Sequence, residues 1–446
     1  MSDSLARRIA RFALALSWDD ISPARRRKLK WCLVDFLACC AGGARVPEGE
    51  SAFVLARPGP IHVPGTTRSL TPETAAIAIG TLGALLQYHD GYGRGGNHPS
   101  SSVVSAAWVS WDPGRPLREL LTAIAAGYET ANRLAGFCHP RQSKAGSAPT
   151  ATMGAIGAAV ARGRLAGLDE ARMTAAIANA AFYAPLAAYE GLRNHGSAVP
   201  LHGGIAARAG LEAVTLAQAG LYAGEHMLEG QGGPGFLDFL HGGGDLPDPA
   251  TWRCQTLDAV YFKPLPGCRH THPGLEAVLK LLREGPIAVD RIRAIRLSSY
   301  ALALTFATPP RSAHELYDRL MSYHWVLGSA LAHGRYGLDN VLRPAVDPAI
   351  AALYPRMEFT LDPGLEASYP RALSARVEIA MEDGARSASE IAIGYGEPRE
   401  EGPYSPGGGV VKALDDAGMA EKFDELIREA PDAEALRRLR AAALEN

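Results

Sequence analysis

The sequence lacks several features that would mark it as a secreted, membrane or nucleic-acid-binding protein. Its six cysteines are scattered, and no two of them form a CxxC pair, so we expect neither a disulfide framework nor a structural zinc site. It has no long block of basic residues, and its formal net charge is −2, which argues against nucleic acid as a partner. No apolar run approaches the length of a membrane span, and the N-terminal stretch has no signal-peptide core. These absences predict a cytoplasmic protein that acts on a small molecule, with neither nucleic acid nor membrane as a partner.

The sequence pattern changes from helix-like to strand-like and back along the 446 residues, which are enough for two domains. The first half reads as a series of helices rich in Ala and Gly and apolar nearly all round, as in the interior of a large bundle. Near Leu257 strand patterns appear, and Asp383-Gly384 is a strong hairpin signal. Close to the C-terminus the pattern returns to helix. We therefore predict a mainly α fold: a large all-helical domain, residues 1–256 and 411–446, and a smaller α+β lid domain, residues 257–410.

The stretch Thr81–Trp108 concentrates titratable residues between two apolar helices. Asp90 and His98 lie there in a loop with four glycines, which predict an irregular backbone that can approach a ligand closely. Ser100 or Ser101 is expected to cap the helix that follows. A carboxylate and an imidazole on one loop can supply a general base and an acid, or can grip a polar substrate. The alternative is a glycine-rich surface connection.

A second group of such residues lies at the predicted domain junction, in FKPLPGCRHTHPGLEAV. Lys263, Cys268, Arg269 and His272 fall within ten residues, and Pro273 marks a helix start. Lys and Arg beside a helix N-terminus favour an anion-binding site. A metal site is not favoured, because Cys268 and the neighbouring histidines match no closed zinc pattern. The alternative is a solvated basic linker.

Two further segments carry polar residues at positions that suit the wall of a ligand site. Arg193 and His202 flank the start of a glycine-led helix in GLRNHGSAVPLHGG, and Tyr323 lies in a helical segment of the second domain. A structural role for His202 is an equally open alternative, and aromatic residues at helical spacing are more often part of a core. A nucleotide site in GYGRGG is not favoured, because no strand precedes it and no Lys-Ser/Thr follows.

Seven segments, taken in order, resemble the MmgE/PrpD family, which includes 2-methylcitrate dehydratase, cis-aconitate decarboxylase and iminodisuccinate epimerase. The segments are KWCLVDFLACCAGG, LLQYHDGYGRGGNHPSSSVVSAAW, AGYETANRLAG, APTATMGAIGAAVARGRLAGLDEARMTAAIANAA, VPLHGGIAARAG, FKPLPGCRHTH and MAEKFDEL. The resemblance runs through nearly the whole chain and rests on the order of the segments. It implies a helical domain built from the N-terminal part and the C-terminal tail, a smaller lid, no organic cofactor and a homodimer. It also implies a reaction that adds or removes water, carbon dioxide or a proton at a small polycarboxylate.

The resemblance carries over to this chain only in part. Asp90 and His98 match an aspartate and a histidine of the family's acidic loop, and Lys263 and His272 match a lysine and a histidine of its domain junction. Tyr323 is the best correspondence to a lid tyrosine, loosely placed.

The acidic loop departs from the family pattern, because it is shorter and Asp90-Gly91-Tyr92-Gly93 stands where the family has Asp-Phe-Asp-Asp. Three single positions depart as well. Ala148 stands where the family has a histidine, Val199 where it has a lysine, and Cys268 where it has a junction histidine. Each lost charge-assisted contact is worth roughly 1.5–3 kcal/mol, so we expect tricarboxylates such as citrate, 2-methylcitrate and cis-aconitate to be poor substrates. Arginines at other points can re-supply positive charge: Arg94, Arg193 and Arg269.

We therefore predict a divergent family member, a cofactor-independent lyase acting on a small anionic metabolite other than a tricarboxylate. It would abstract a proton next to a carboxyl or similar group and expel a β-leaving group. The predicted catalytic residues are Asp90, His98, Lys263 and His272. The predicted substrate-binding residues are Tyr92, Arg94, Arg193, His202, Cys268, Arg269 and Tyr323. No metal or cofactor is predicted, and a homodimer is expected. An isomerase or epimerase, a decarboxylase with the same site, and a non-catalytic binding protein are the alternatives.

Overall fold

The computed structural model describes residues 3–242, 244–310, 315–342, 347–394 and 414–445, with the backbone alone at 393 and 394. The helices are α1 (Leu5–Ala15), α2 (Pro23–Gly43), α3 (Pro72–Leu85), α4 (Ser105–Trp108), α5 (Leu117–Cys138), α6 (Arg141–Lys144), α7 (Pro149–Leu165), α8 (Glu170–Phe182), α9 (Tyr189–Arg193), α10 (Leu201–Gln218), α11 (Phe236–Phe239), α12 (His272–Glu284), α13 (Ala301–Leu304), α14 (Leu316–Leu320), α15 (Tyr323–His333), α16 (Leu338–Leu342), α17 (Pro348–Ala351), α18 (Pro363–Ser368), α19 (Asp416–Ile427) and α20 (Ala433–Glu445). The strands are β1 (Pro58–His62), β2 (Ser69–Leu70), β3 (Gly91–Tyr92), β4 (Val260–Tyr261), β5 (Ile292–Ser299), β6 (Met357–Leu361), β7 (Ala372–Met381) and β8 (Arg386–Gly394). The chain is mainly α-helical with a smaller α+β part, which confirms the predicted fold class.

The helices of the N-terminal part approach one another closely where glycines meet. α7 packs against α5, α8 and α10, and α10 also packs on α3. A Cβ added at Gly204 of α10 would lie 2.4 Å from the carbonyl oxygen of Ile77 in α3, and one added at Gly157 of α7 would lie 2.7 Å from that of Gly127 in α5. Side chains at these positions would push the helices apart. The richness in small residues is therefore what permits the packing.

The C-terminal helices α19 and α20 pack on α2, at the opposite end of the sequence. Lys422 of α19 reaches Asp35 of α2 at 2.7 Å, and Arg27 of α2 pairs with Asp416 of α19. The predicted domain limit between residues 410 and 411 lies outside the described residues. The domain limits therefore stay a prediction.

The main sheet has four strands in the order β6-β5-β7-β8. β5 pairs in parallel with β6 and antiparallel with β7, and β7 pairs antiparallel with β8. Gly384, in the connection between β7 and β8, has a φ of +90°, a conformation that glycine adopts without strain. The hairpin predicted at Asp383-Gly384 is confirmed. α12 covers β7 and β8, and α15 packs on α12, so the segment that begins with His272 lies between the sheet and the rest of the molecule.

The glycine-rich loop is more regular than predicted. Gly91 and Tyr92 form β3, which pairs antiparallel with Tyr261 and Val260 of β4. A Cβ at Gly91 would lie 2.3 Å from the hydroxyl of Tyr261, so a glycine is needed for this pairing. The expected helix cap at Ser100 is also wrong: residues 100–104 form a π-helical turn, and no side chain caps it. The pairing of β3 with β4 joins the loop to the junction segment.

The structure bears on membrane spans, metal clusters and disulfides. Within the described ranges, no helix is both long and apolar enough to cross a membrane. No group of three His, Cys, Asp or Glu side chains in the same ranges is placed to hold a metal ion. All six cysteines are buried and none forms a disulfide.

Gly204→Ala should destabilise the protein, because its new Cβ would overlap the backbone of α3. We expect a loss of about 1–3 kcal/mol in the free energy of unfolding, seen as a lower midpoint in thermal unfolding. Gly233→Ala is the matched control, because a Cβ at Gly233 meets nothing within 4 Å. Equal midpoints for the two variants would show that α3 and α10 are not in close contact.

Candidate active site

Three backbone carbonyls just beyond the C-terminal end of α3 bind three titratable side chains. The carbonyl oxygen of Gln87 accepts a hydrogen bond from Nζ of Lys263 at 2.8 Å, and that of Tyr88 accepts one from Nζ of Lys422 at 2.8 Å. The carbonyl oxygen of Asp90 lies 2.7 Å from Nδ1 of His98. The end of a helix carries partial negative charge, which favours cations at this place. The turn from Gln87 to Asp90 therefore organises residues from three distant parts of the sequence.

The contact of His98 with this turn fixes its tautomer. A carbonyl oxygen can only accept, so Nδ1 carries the proton and Nε2 of the neutral ring carries a lone pair. The backbone N–H of His98 donates to Oγ1 of Thr150 at the start of α7 at 2.9 Å, and the side chain is only partly buried. Burial, with the charge of Lys263, lowers the pKa of His98 to about 3. His98 is thus a neutral, oriented imidazole with a base atom available.

The carboxylate of Asp90 is held inside the protein. Its Oδ1 accepts from Oγ of Ser100 at 2.5 Å, and its Oδ2 accepts from the hydroxyl of Tyr128 at 2.8 Å. The residue is 1% exposed, and burial raises the pKa of its carboxyl to about 6. Since both oxygens are engaged by the protein, this geometry favours a role in holding the loop over a direct role in proton transfer.

Lys263 is a buried lysine that has no carboxylate partner within the described part of the chain. Its ammonium donates to the carbonyl oxygens of Gln87 and Gly267, the latter at 3.2 Å. Among the described residues, no Asp or Glu oxygen lies within 4.0 Å of it. Burial lowers the pKa of Lys263 to about 7, and the positive charges of Arg269 and Lys422 act in the same direction. An anionic ligand would supply the missing countercharge.

The junction segment places three more predicted residues around Lys263. Arg269 donates to Nδ1 of His272 at 3.0 Å, so Nε2 of the neutral His272 ring carries the proton. The guanidinium also lies 5.0 Å from the ring centre of Tyr261. Burial raises the pKa of the Cys268 thiol, which keeps it neutral. Cys268, Arg269 and His272 are all buried.

His202 and Tyr323 complete the side chains that the structure brings to this region. His202 donates from Nδ1 to the carbonyl of Val199, and its charge influences the pKa of His98. The hydroxyl of Tyr323 donates to the carbonyl oxygen of His270 at 2.7 Å. The pKa of Tyr323 is raised by burial and by the nearby Cys268. Both predicted residues therefore border the Lys263 segment.

Three predicted binding residues are placed elsewhere. Arg94 and Arg193 are exposed, and Arg193 lies 3.8 Å from Glu190 of its own helix. The ring of Tyr92 lies beside Gly95, on the side of the loop that faces α5. We therefore leave these three residues out of the site.

The structure adds residues that sequence reasoning did not assign to the site. Tyr128 binds the Asp90 carboxylate, and Lys422 binds the Tyr88 carbonyl. His89 is buried beside His98, with ring centres 4.9 Å apart, and burial lowers its pKa well below the usual value. The sequence does give a signal for Lys422, because this lysine lies on the apolar face of α19 between Met419 and Phe423. A charge on such a face needs a buried partner.

Two family models match the sequence, and together they cover most of it. The MmgE/PrpD N-terminal domain matches residues 7–248, and the MmgE/PrpD C-terminal domain matches residues 265–445. The first match includes the loop with Asp90 and His98, the second includes Cys268, Arg269 and His272, and Lys263 lies between the two matched ranges.

Curated relatives are similar at low identity. A cis-aconitate decarboxylase of Aspergillus terreus (strain NIH 2624 / FGSC A1156) is 26% identical over 325 residues, 67% of this chain and 64% of the relative's length. The mitochondrial 2-methylcitrate dehydratase of Yarrowia lipolytica (strain CLIB 122 / E 150) is 24% identical over 409 residues, 83% of this chain and 76% of its own. The cis-aconitate decarboxylase of Homo sapiens is 25% identical over 351 residues, 74% and 70% of the two chains. The chain thus spans slightly under two thirds of the length of the Aspergillus relative.

The ring of His98 should stay neutral across the physiological pH range, with the proton on Nδ1. We expect its nitrogen-15 shifts to remain those of the Nδ1–H tautomer from pH 8 down to pH 5, because its pKa of about 3 lies below that window. Histidine-selective NMR, with the signal assigned by His98→Gln, measures this. A midpoint near 6.5 would contradict the burial and the hydrogen bond described above.

Proposed function

This chain belongs to the MmgE/PrpD family, and we propose that it is a cofactor-independent lyase for a small anionic metabolite. The reaction would begin with removal of a proton next to a carboxyl or similar group and would end with loss of a β-leaving group. The names of the relatives, a dehydratase and decarboxylases, support the class of chemistry. We further propose a cytoplasmic homodimer, as the resemblance implies; light scattering on the purified protein tests the dimer.

One observation carries the proposal: an oriented imidazole base lies close to a buried ammonium that has no carboxylate partner among the residues that the structure describes. His98 would take the proton at Nε2, since Asp90 holds its Nδ1–H. Lys263 and Arg269 would bind the carboxylate and stabilise the enolate-like charge that develops. His272, whose Nε2 carries a proton, would donate to the substrate or the leaving group. Asp90 would position the loop.

Two uncharged residues, Ala148 and Val199, support the expectation that tricarboxylates are poor substrates. Ala148 is the residue before α7, close to Thr150 and hence to His98, and it brings no charge. Val199 contributes only its carbonyl, to His202. Since Arg94 and Arg193 are exposed, neither replaces the missing cations. We therefore propose a substrate with one or two carboxylates.

Proton NMR in D2O with a panel of hydroxy acids, unsaturated acids and amino diacids tests this proposal without presupposing the substrate. Elimination gives an unsaturated product, decarboxylation releases carbon dioxide, and an isomerase or epimerase exchanges the α-proton and returns the same skeleton. No turnover and no exchange, with binding retained, would favour the binding-protein alternative. Useful turnover of citrate, 2-methylcitrate or cis-aconitate would contradict the proposed substrate class.

Once a substrate is found, His98→Gln and Lys263→Met should each lose at least about a hundredfold in kcat/KM, the typical loss of a positioned acid or base. His62→Gln, at an exposed histidine, and Lys280→Met, at a partly exposed lysine, are the matched controls. Steady-state assays on folded variants measure the effect. Near-wild-type rates for either site variant would place the chemistry on other residues.

The proposal also predicts a pH dependence. The free enzyme should lose kcat/KM as the pH rises through about 7, because the ammonium of Lys263, with a pKa of about 7, is then deprotonated and no longer attracts the anion. Lys263→Arg should remove this alkaline limb, since Arg stays charged, at the cost of a lower maximum rate. A wild-type profile that is flat from pH 6 to pH 9 would rule out a binding role for the ammonium.

A further inference from the structure

A buried ion pair lies directly behind the proposed site. Nζ of Lys422 in α19 is 2.7 Å from Oδ1 of Asp35 in α2, and both side chains are 2% exposed. The ammonium also donates to the carbonyl oxygen of Tyr88 and lies 4.2 Å from the ring centre of the same residue. Desolvating two charges costs much of what their attraction returns, so stability alone is a weak reason for such a pair.

The contacts of this pair lead into the turn that holds the site. Tyr88, gripped at its carbonyl by Lys422, donates from its hydroxyl to the carbonyl oxygen of Pro264 at 3.0 Å. Pro264 is next to Lys263, which itself grips the carbonyl of Gln87. Two lysines from distant segments thus donate to the carbonyls of consecutive residues. The side chain of Tyr88 contacts Lys422 with its ring and Pro264, the neighbour of Lys263, with its hydroxyl.

We infer that Lys422, paired with Asp35, is a positioning residue of the proposed active site, which fixes the Gln87–Asp90 turn and sets the electrostatic environment of Lys263. The inference rests on the proposed function for its effect on turnover. Its effect on Lys263 can be measured on the protein without a substrate.

The groups around Lys263 define what Lys422 does electrostatically. Besides burial, the groups that act on it are Arg269 and Lys422, which are positive, and the thiols of Cys268 and Cys39. A neutral residue 422 would relieve Lys263 of one neighbouring positive charge, so the pKa of Lys263 would rise. Removing Asp35 instead would leave the positive charge of Lys422 without its countercharge and would lower the pKa of Lys263.

The closing experiment follows the pKa of Lys263 by NMR on the full chain with carbon-13-labelled lysine. The chain has seven lysines, and Lys263→Arg assigns the signal. The double variant Asp35→Asn with Lys422→Met avoids an unpaired buried carboxylate. It removes one positive and one negative charge, and Lys422 is the one of the two that acts on Lys263, so we expect the Lys263 midpoint to rise by roughly half a unit. Asp35→Asn alone should lower it, so the two variants shift in opposite directions.

Folding of the variants does not limit the test. An unchanged Lys263 midpoint in a folded double variant overturns the inference. If the double variant does not fold, Asp35→Asn decides alone: a lower midpoint supports the inference and an unchanged one overturns it. Tyr88→Phe keeps both charges and removes only the bond to Pro264, and should lower kcat about tenfold, as loss of a supporting contact does. Unchanged kcat in that variant would overturn the positioning role of the turn. If Lys263 shifts as expected but Lys263→Met keeps full activity, the proposed function fails and the Lys422 inference stands.

Discussion

The turn beyond α3 is the constraint on which the candidate site depends. The chain that follows helix α3 presents three backbone carbonyls, at Gln87, Tyr88 and Asp90, in a buried part of the protein. Buried carbonyls need donors, and this sequence supplies them from Lys263, Lys422 and His98. Meeting one requirement of backbone hydrogen bonding therefore brings the acidic loop, the junction segment and the C-terminal helix α19 to the same place.

Burial then gives these side chains their chemistry. For Lys263, His98 and Asp90 the largest cause of the shifted pKa is loss of water. Neighbouring charges come second for Lys263 and His98, whereas the hydrogen bonds from Ser100 and Tyr128 come second for Asp90. The ammonium becomes easier to deprotonate, the imidazole stays neutral, and the carboxyl becomes easier to protonate. A hydrated surface loop with the same residues would have ordinary values for all three. Under the proposed function, the close packing around this turn is therefore a functional feature as well as a structural one.

Sequence reasoning reached the fold class and the family, because these follow from composition, from the change in secondary-structure pattern and from the order of motifs. It also singled out His98 and Lys263, whose catalytic roles stay a prediction. It did not predict which way the side chains of a loop point, because a loop has no periodic pattern from which to infer this. Asp90 was expected to act on substrate, but its oxygens face Ser100 and Tyr128. Arg94, in the same loop, is exposed. The pairing of β3 with β4 could not be predicted from the sequence either, because strands of two residues are too short to show an alternating pattern.

Charge matching is the physical argument for our proposal that an anion smaller than a tricarboxylate suits this site. The proposed binding cations are Lys263 and Arg269, since Lys422 is already neutralised by Asp35 at 2.7 Å. Each carboxylate that enters must leave water, and an unpaired buried charge costs several kcal/mol. Two carboxylates can each meet a cation here, and their negative charge would raise the pKa of Lys263 and of His98, which readies the base for its proton. A third carboxylate would lack the histidine and the lysine of the family pattern, since Ala148 and Val199 themselves carry no charge, so its desolvation would oppose binding.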